Sequence, residues 1–197
     1  DLTNNIIPAG GSDFFDAIMQ ARGYISSAES ANKITEEKDK VLIVCGSTSE
    51  ASRKFVGSAR EKGIYVSKMP EQLFNARQIQ PYLIKNWAAD IISFLHQQQK
   101  AIITINRQVI ESADESKRLR EIMAETVAEV LENVQISELF AEGGATVAAI
   151  IRRLGWHSFY PLQEFSRGIV RMQVAENPKL NLTIKPGSYL WDEGIVM

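Results

Sequence analysis

The sharpest apolar and polar contrasts lie between residues 41 and 155. Val41-Leu42-Ile43-Val44-Cys45 is an unbroken apolar run, the pattern of a strand covered on both faces, since a strand with one wet face alternates. It stops at Gly46-Ser47-Thr48-Ser49, after which Phe55, Val56 and Ala59 recur at helical spacing up to Gly63. Ser47 and Glu50 stand in the Ser-x-x-Glu relation, so a capping box is expected at the head of that helix. Ile64-Tyr65-Val66-Ser67 predicts a short second strand. Leu83, Trp87, Ile91, Ile92 and Leu95 predict a helix, and Ala101-Ile102-Ile103-Thr104-Ile105 the strand after it. Leu119, Ile122, Met123, Thr126, Val127, Val130, Leu131 and Val134 fall at i, i+3, i+4 spacing. They predict a long helix whose many charges form a solvated back. A strand, a glycine turn and a helix close the series over Leu139 to Gly155, with Ile150, Ile151 and Leu154 turned inward.

The flanks are less regular. Ser12 is expected to cap a helix reaching about Arg22, with Phe15, Ile18 and Met19 on one face and Gly23 as its stop. Ser26 to Lys40 is polar and charged and reads as an exposed connector. Trp156 to Leu162 is a mostly apolar segment with no assigned element. Gly168 to Val174 and Leu180 to Ile184 alternate, and predict two strands about an Asn177-Pro178 turn. Residues 1–23 are thus expected to form an N-terminal helix and junction, 24–40 a connector, and 41–197 the main domain. Strands alternating with helices predict an α/β fold in three layers, a largely parallel sheet with helices on both faces.

Composition narrows the function. With 197 residues, 45% hydrophobic and 23% charged, the chain can bury a full core. A net charge of -2 and the lack of a Lys/Arg cluster argue against nucleic acid. One cysteine excludes an internal disulfide and a cysteine-rich zinc site, and Cys45 reads as a core thiol. His96 and His157 are too few and too separated for a metal cluster. His96 suits a helix end, and His157 has no orienting partner nearby in sequence. No apolar run approaches a membrane span and no signal peptide is visible, so the cytoplasm is expected. The opening Asp1-Leu2-Thr3-Asn4-Asn5-Ile6-Ile7-Pro8 reads like the end of a preceding segment, and a fragment is expected.

In a parallel sheet the strand-to-helix turns collect on one edge. Gly46 to Ser49, Asn106-Arg107 and Gly143-Gly144-Ala145-Thr146 should therefore lie together. Gly143 and Gly144 lack a Cβ, so the backbone can take positive φ and approach a ligand, while the following helix points free N–H groups at the same spot. That is an anion site, and phosphate is its usual occupant. A bare turn capped by Thr146 explains the same residues. The hydroxyls at 47 to 49 likewise suit phosphate, ribose or a simple cap, and Arg107 either reaches a phosphate or stands solvated. Gly10-Gly11-Ser12 repeats the pattern in miniature, as a capped turn. Lys185-Pro186-Gly187, delivered by the last strand, suits holding a phosphate by charge while amides close around it. No P-loop, no complete dinucleotide fingerprint and no nucleophile elbow is present.

In the order Val41 to Ser49, Glu142 to Thr146, Gly168 and Ile184 to Tyr189, with the Gly10-Gly11-Ser12-Asp13-Phe14-Phe15 start, the chain resembles the C-terminal nucleotide-binding domain of the four-carbon acid sugar kinases. The resemblance implies an ATP-dependent kinase acting on a threonate, erythronate or oxo-tetronate. It implies ATP or ADP contacts at Gly46, Ser47, Thr48, Ser49, Gly143, Gly144, Ala145, Thr146 and Gly187; Lys185 and Mg²⁺ are expected to join the glycine-turn amides in holding the phosphates, and no metal-ligating residue is assigned. It also implies an N-terminal substrate-binding domain outside this chain that holds the catalytic base. Two positions depart from that family. An acidic residue, suited to Mg²⁺ or ribose, usually stands where Ala145 is, and Phe-Gly where Tyr189-Leu190 are. A non-catalytic module for a phosphorylated metabolite is the alternative, and a homodimer is left open.

Overall fold

The computed structural model describes residues 9–24, 40–105, 112–166 and 168–191. The chain divides into two compact units, Asp1–Asn32 and Lys33–Met197. In the first, helix α1 (Ser12–Ala21) has Gly11 as its N-cap, one residue before the expected Ser12. Gly23, at φ +82°, stops it as the sequence predicts.

The second unit runs β1 (Val41–Cys45), α2 (Glu50–Glu61), β2 (Tyr65–Lys68), α3 (Glu71–Asn75), α4 (Pro81–Gln97), β3 (Lys100–Thr104), α5 (Ala113–Asn133), β4 (Glu138–Glu142), α6 (Gly144–Leu154), β5 (Phe159–Ser166), β6 (Ile169–Val174) and β7 (Asn177–Lys185). Among the described residues seven strands form one sheet in the order β2-β3-β1-β4-β7-β6-β5. Pairing is parallel from β2 to β7 and antiparallel from β7 through β6 to β5. The largely parallel α/β sheet is as expected.

The helix layers follow from handedness. α2 carries the chain outward from β1, past β3, to β2, whereas α4, α5 and α6 move it the other way along the sheet. Right-handed crossovers put opposite directions on opposite faces. Alternate strand positions record this. Leu42, Val44, Ala101, Ile103, Leu139 and Ala141 pack with α4, α5 and α6. Val41, Ile43, Cys45, Ile102 and Phe140 pack with Phe55, Val56 and Ala59 of α2, and with Trp191. Every residue of β1 is buried, which is why its sequence shows no alternation. Burial of each such Leu, Ile or Val side chain contributes about 1.5–3 kcal/mol.

Several local expectations change. Ser49, rather than Ser47, caps α2, its Oγ accepting from Ser52 N at 3.2 Å. Residues Trp156 to Leu162 contain the start of β5, an edge strand whose outward positions are exposed. Pro161 is tolerated there because an edge strand leaves one row of backbone groups unpaired. The β6–β7 turn is at Ala175-Glu176, so Asn177 and Pro178 already belong to β7. Asn106, Arg107 and residues 25–39 of the connector lie outside the described residues. Among the described residues no helix is long and apolar enough to cross a membrane.

Candidate functional site

β1 and β4 are neighbours in the sheet, but the connections leaving them run in opposite directions. Between two such strands the loops part and leave a crevice at the carboxyl ends. The turns at 46–49 and 143–146 leave from those two ends, and β7 brings Gly187 beside them.

The three turns touch. Gly143 sits at φ +88°, ψ 116°, a backbone region close to glycine-only, as N-cap of α6. Its N–H donates to Lys185 O at 2.8 Å, and its C=O accepts from Thr146 N and Val147 N, both at 3.0 Å. The amides of Gly144 and Ala145 open the helix and so have no intrahelical acceptor. A Cβ on Gly46 would lie 2.2 Å from Thr146 Oγ1, so only glycine lets the end of β1 approach α6 this closely. A Cβ on Gly187 would lie 3.0 Å from Ser47 Oγ and 3.7 Å from the Gly143 Cα. Ser49 Oγ donates to Gly187 O at 2.8 Å, which ties the third turn to the first.

Between the turns lies an open cleft of about 310 Å³. That is at the small end of the range for small-molecule sites. Gly46, Ser47, Thr48, Gly143, Gly144, Ala145, Thr146 and Gly187 line it, as grouped from sequence. A Cβ on Gly144 would meet nothing within 4 Å, so the space over that residue is free for a ligand. Ile105, Ser116 and Arg120 complete the lining, and the sequence reading had not singled out any of them.

Two expected residues stand apart from the cleft lining. Ser49 spends its hydroxyl on the α2 cap and on Gly187 O. Lys185 is a correction, because its ammonium does not face the cleft. It is fully buried, 3.2 Å from Glu142 Oε2, and donates to Pro186 O at 2.9 Å and Tyr189 O at 2.6 Å. It also lies 5.1 Å from the centroid of the Trp191 ring. The reason is register. Lys185 of β7 pairs with Glu142 of β4, and both side chains enter the α2 face of the sheet. Lys185 thus shapes the turn that carries Gly187, while its charge is already neutralised.

Cys45 lies in the same buried layer. Burial first, then the neighbouring Glu142 carboxylate, pushes its thiol well above the ordinary value, so it is a core thiol, as expected. His157 is exposed just before β5, where its backbone N–H donates to Glu176 Oε1 at 2.8 Å. His96 falls in the last turn of α4.

The lining fits the phosphates of ATP or ADP, through free helix amides, glycine turns and hydroxyls. It does not fit a protein-held Mg²⁺. Among the described residues no carboxylate lines the cleft, and no group of three or more His, Cys, Asp or Glu could hold a metal. Ala145 leaves that position without a carboxylate.

A doubly wound sheet with glycine turns at its switch point defines the class of α/β nucleotide-binding domains. The chain belongs to the family of nucleotide-binding C-terminal domains, whose pattern matches residues 42–189. Similar solved structures include a Salmonella typhimurium LT2 protein described as a candidate tRNA synthase, with TM-score 0.66 and 15% identity over 81% of this chain and 40% of that one. A Haemophilus influenzae protein matches with TM-score 0.63 and 16% identity over 92% of this chain and 44% of its own. A domain of unknown function from Bordetella bronchiseptica, a domain-swapped dimer with bound citrate, matches with TM-score 0.60 and 15% identity over 78% and 37%. At such identities the likeness is one of fold. The chain spans less than half the length of each of these three. No curated protein matches it.

Proposed function

We propose that this chain is the ATP-binding domain of a cytoplasmic kinase that phosphorylates a four-carbon acid sugar of the threonate, erythronate or oxo-tetronate type. The observation that carries the reading is the meeting of the 46–49, 143–146 and 187 turns in one cleft, in the order and spacing that resemble that kinase family. Phosphoryl transfer needs placement and charge neutralisation more than covalent help from the protein. The α6 amides and the glycine turns would hold the phosphates, and a Mg²⁺ ion carried by the nucleotide would add charge neutralisation. A substrate hydroxyl oxygen attacks the terminal phosphorus, the bond to the ADP oxygen breaks, and the hydroxyl proton passes to a base.

The resemblance assigns that base to a substrate-binding domain outside this chain, and among the described residues no Asp, Glu, His or Lys lines the cleft. The chain alone is therefore expected to bind nucleotide and phosphorylate nothing. Calorimetry with ADP and Mg²⁺ tests the first half, and a complete lack of binding refutes it. A thermal-shift comparison separates the alternative. Stabilisation by ATP or ADP but not by sugar phosphates supports the kinase domain, and the reverse supports a non-catalytic module for a phosphorylated metabolite.

A further inference from the structure

We propose that Arg120 is the residue by which this cleft selects a nucleoside di- or triphosphate over a ligand with fewer charges, an assignment that rests on the nucleotide reading above. α5 presents Ser116 and Arg120 one turn apart on the same face, and both line the cleft. The helix that carries them is firmly seated. Leu119, Ile122 and Met123 are fully buried, and Arg118 donates to Leu73 O at 2.9 Å and Phe74 O at 2.5 Å.

Among the described residues the charge of Arg120 has no partner. Its helical neighbours at i±3 and i±4 are Ser116, Lys117, Met123 and Ala124, so no carboxylate on α5 is placed to neutralise it. Glu121, next in sequence, faces Lys117 at 3.9 Å. Among the described residues Arg120 makes no hydrogen bond and no ion pair, whereas Arg118, Arg153 and Arg171 are each paired with a glutamate. Among the described residues no other charged side chain lines the cleft. The N-terminus of α6, with its positive dipole end and the two open amides of Gly144 and Ala145, lines the same cleft.

Two positive elements thus share one cavity with no described carboxylate lining it. In the empty protein they repel. An occupant carrying several negative charges removes that repulsion and uses both elements, and the guanidinium fork takes two phosphate oxygens at once. A nucleoside without phosphates has nothing for either element.

Calorimetry of the whole chain with ADP, AMP and adenosine, comparing wild type with Arg120→Gln and Arg120→Lys, tests this. The expected result is that R120Q weakens ADP about 10- to 100-fold, the size of a lost charge-assisted contact, leaves adenosine unchanged, and flattens the salt dependence of ADP binding. R120K should recover part of the loss, because it keeps the charge but not the fork. The ligand-free melting temperature of R120Q should equal or exceed that of wild type, since a repulsion is removed. Unchanged ADP affinity in R120Q, or a lowered ligand-free melting temperature, overturns the assignment. If wild type binds neither ADP nor adenosine, the kinase reading fails, and pyrophosphate then decides the arginine. Binding by wild type and not by R120Q upholds its anion role, and no binding by either overturns it.

Discussion

Gly46 and Gly144 line the same cleft for opposite reasons. At Gly46 a Cβ would collide with Thr146 at 2.2 Å, so the residue fixes how closely β1 and α6 approach. Gly46→Ala should lower stability in urea denaturation by about 1–3 kcal/mol, the usual effect of overpacking. At Gly144 the space is open. Gly144→Val should leave the melting temperature of the free protein nearly unchanged and abolish the shift caused by ADP, and a surviving shift would mean the ligand sits elsewhere. Cys45 makes a pH prediction. Its folded-state pKa is raised above the ordinary thiol value of 9.0, so the thiol's contribution to stability is complete below that value and is lost as pH rises from there toward the folded pKa. Wild type should therefore lose more stability than Cys45→Val as pH rises past 9.0, read by urea titration below and above that value.

At the scale of elements, what was legible from sequence was whatever depends on local pattern. The buried run of β1, the stripe of α5 and the strand-to-helix alternation each report their own periodicity, and the order of layers follows from handedness. β5 was hidden because an edge strand with exposed outer positions and a proline has neither a buried run nor a clean alternation. Lys185 was misplaced for a different reason. Lys-Pro-Gly after a strand reads as a phosphate turn, but which way the lysine points depends on the register of β7 against β4, a pairing between residues far apart in the chain. Arg120 was missed by the same kind of blindness. Periodicity separates the polar face of α5 from its buried stripe, but cannot tell which polar position looks onto neighbouring strand ends. The buried pair has its own test. Lys185→Met should cost about 3–5 kcal/mol, because Glu142 is left buried without its partner, and Lys185→Met with Glu142→Leu should restore much of that loss. Urea denaturation of the single and double variants measures it.

For the molecule as a whole, ADP at about 100 times its Kd should raise stability by about 2.7 kcal/mol. Because no described carboxylate lines the cleft, most of that gain should persist in EDTA, with thermal shift as the readout. The three turns come from β1, β4 and β7, which are adjacent in space but far apart along the chain. β7 is the last strand of the described residues, yet it lies inside the sheet, with β6 and β5 outboard of it. These three form a meander of antiparallel neighbours with local contacts, so docking of β7 along β4 is expected to be a late step in folding. Until then β4 carries a bare edge beside β1, open to pairing with another chain. Gly187 reaches Ser47 only when that edge is closed. Nucleotide binding should accordingly emerge later in refolding than helical signal does, and nucleotide should protect the protein from aggregation only after β7 has docked.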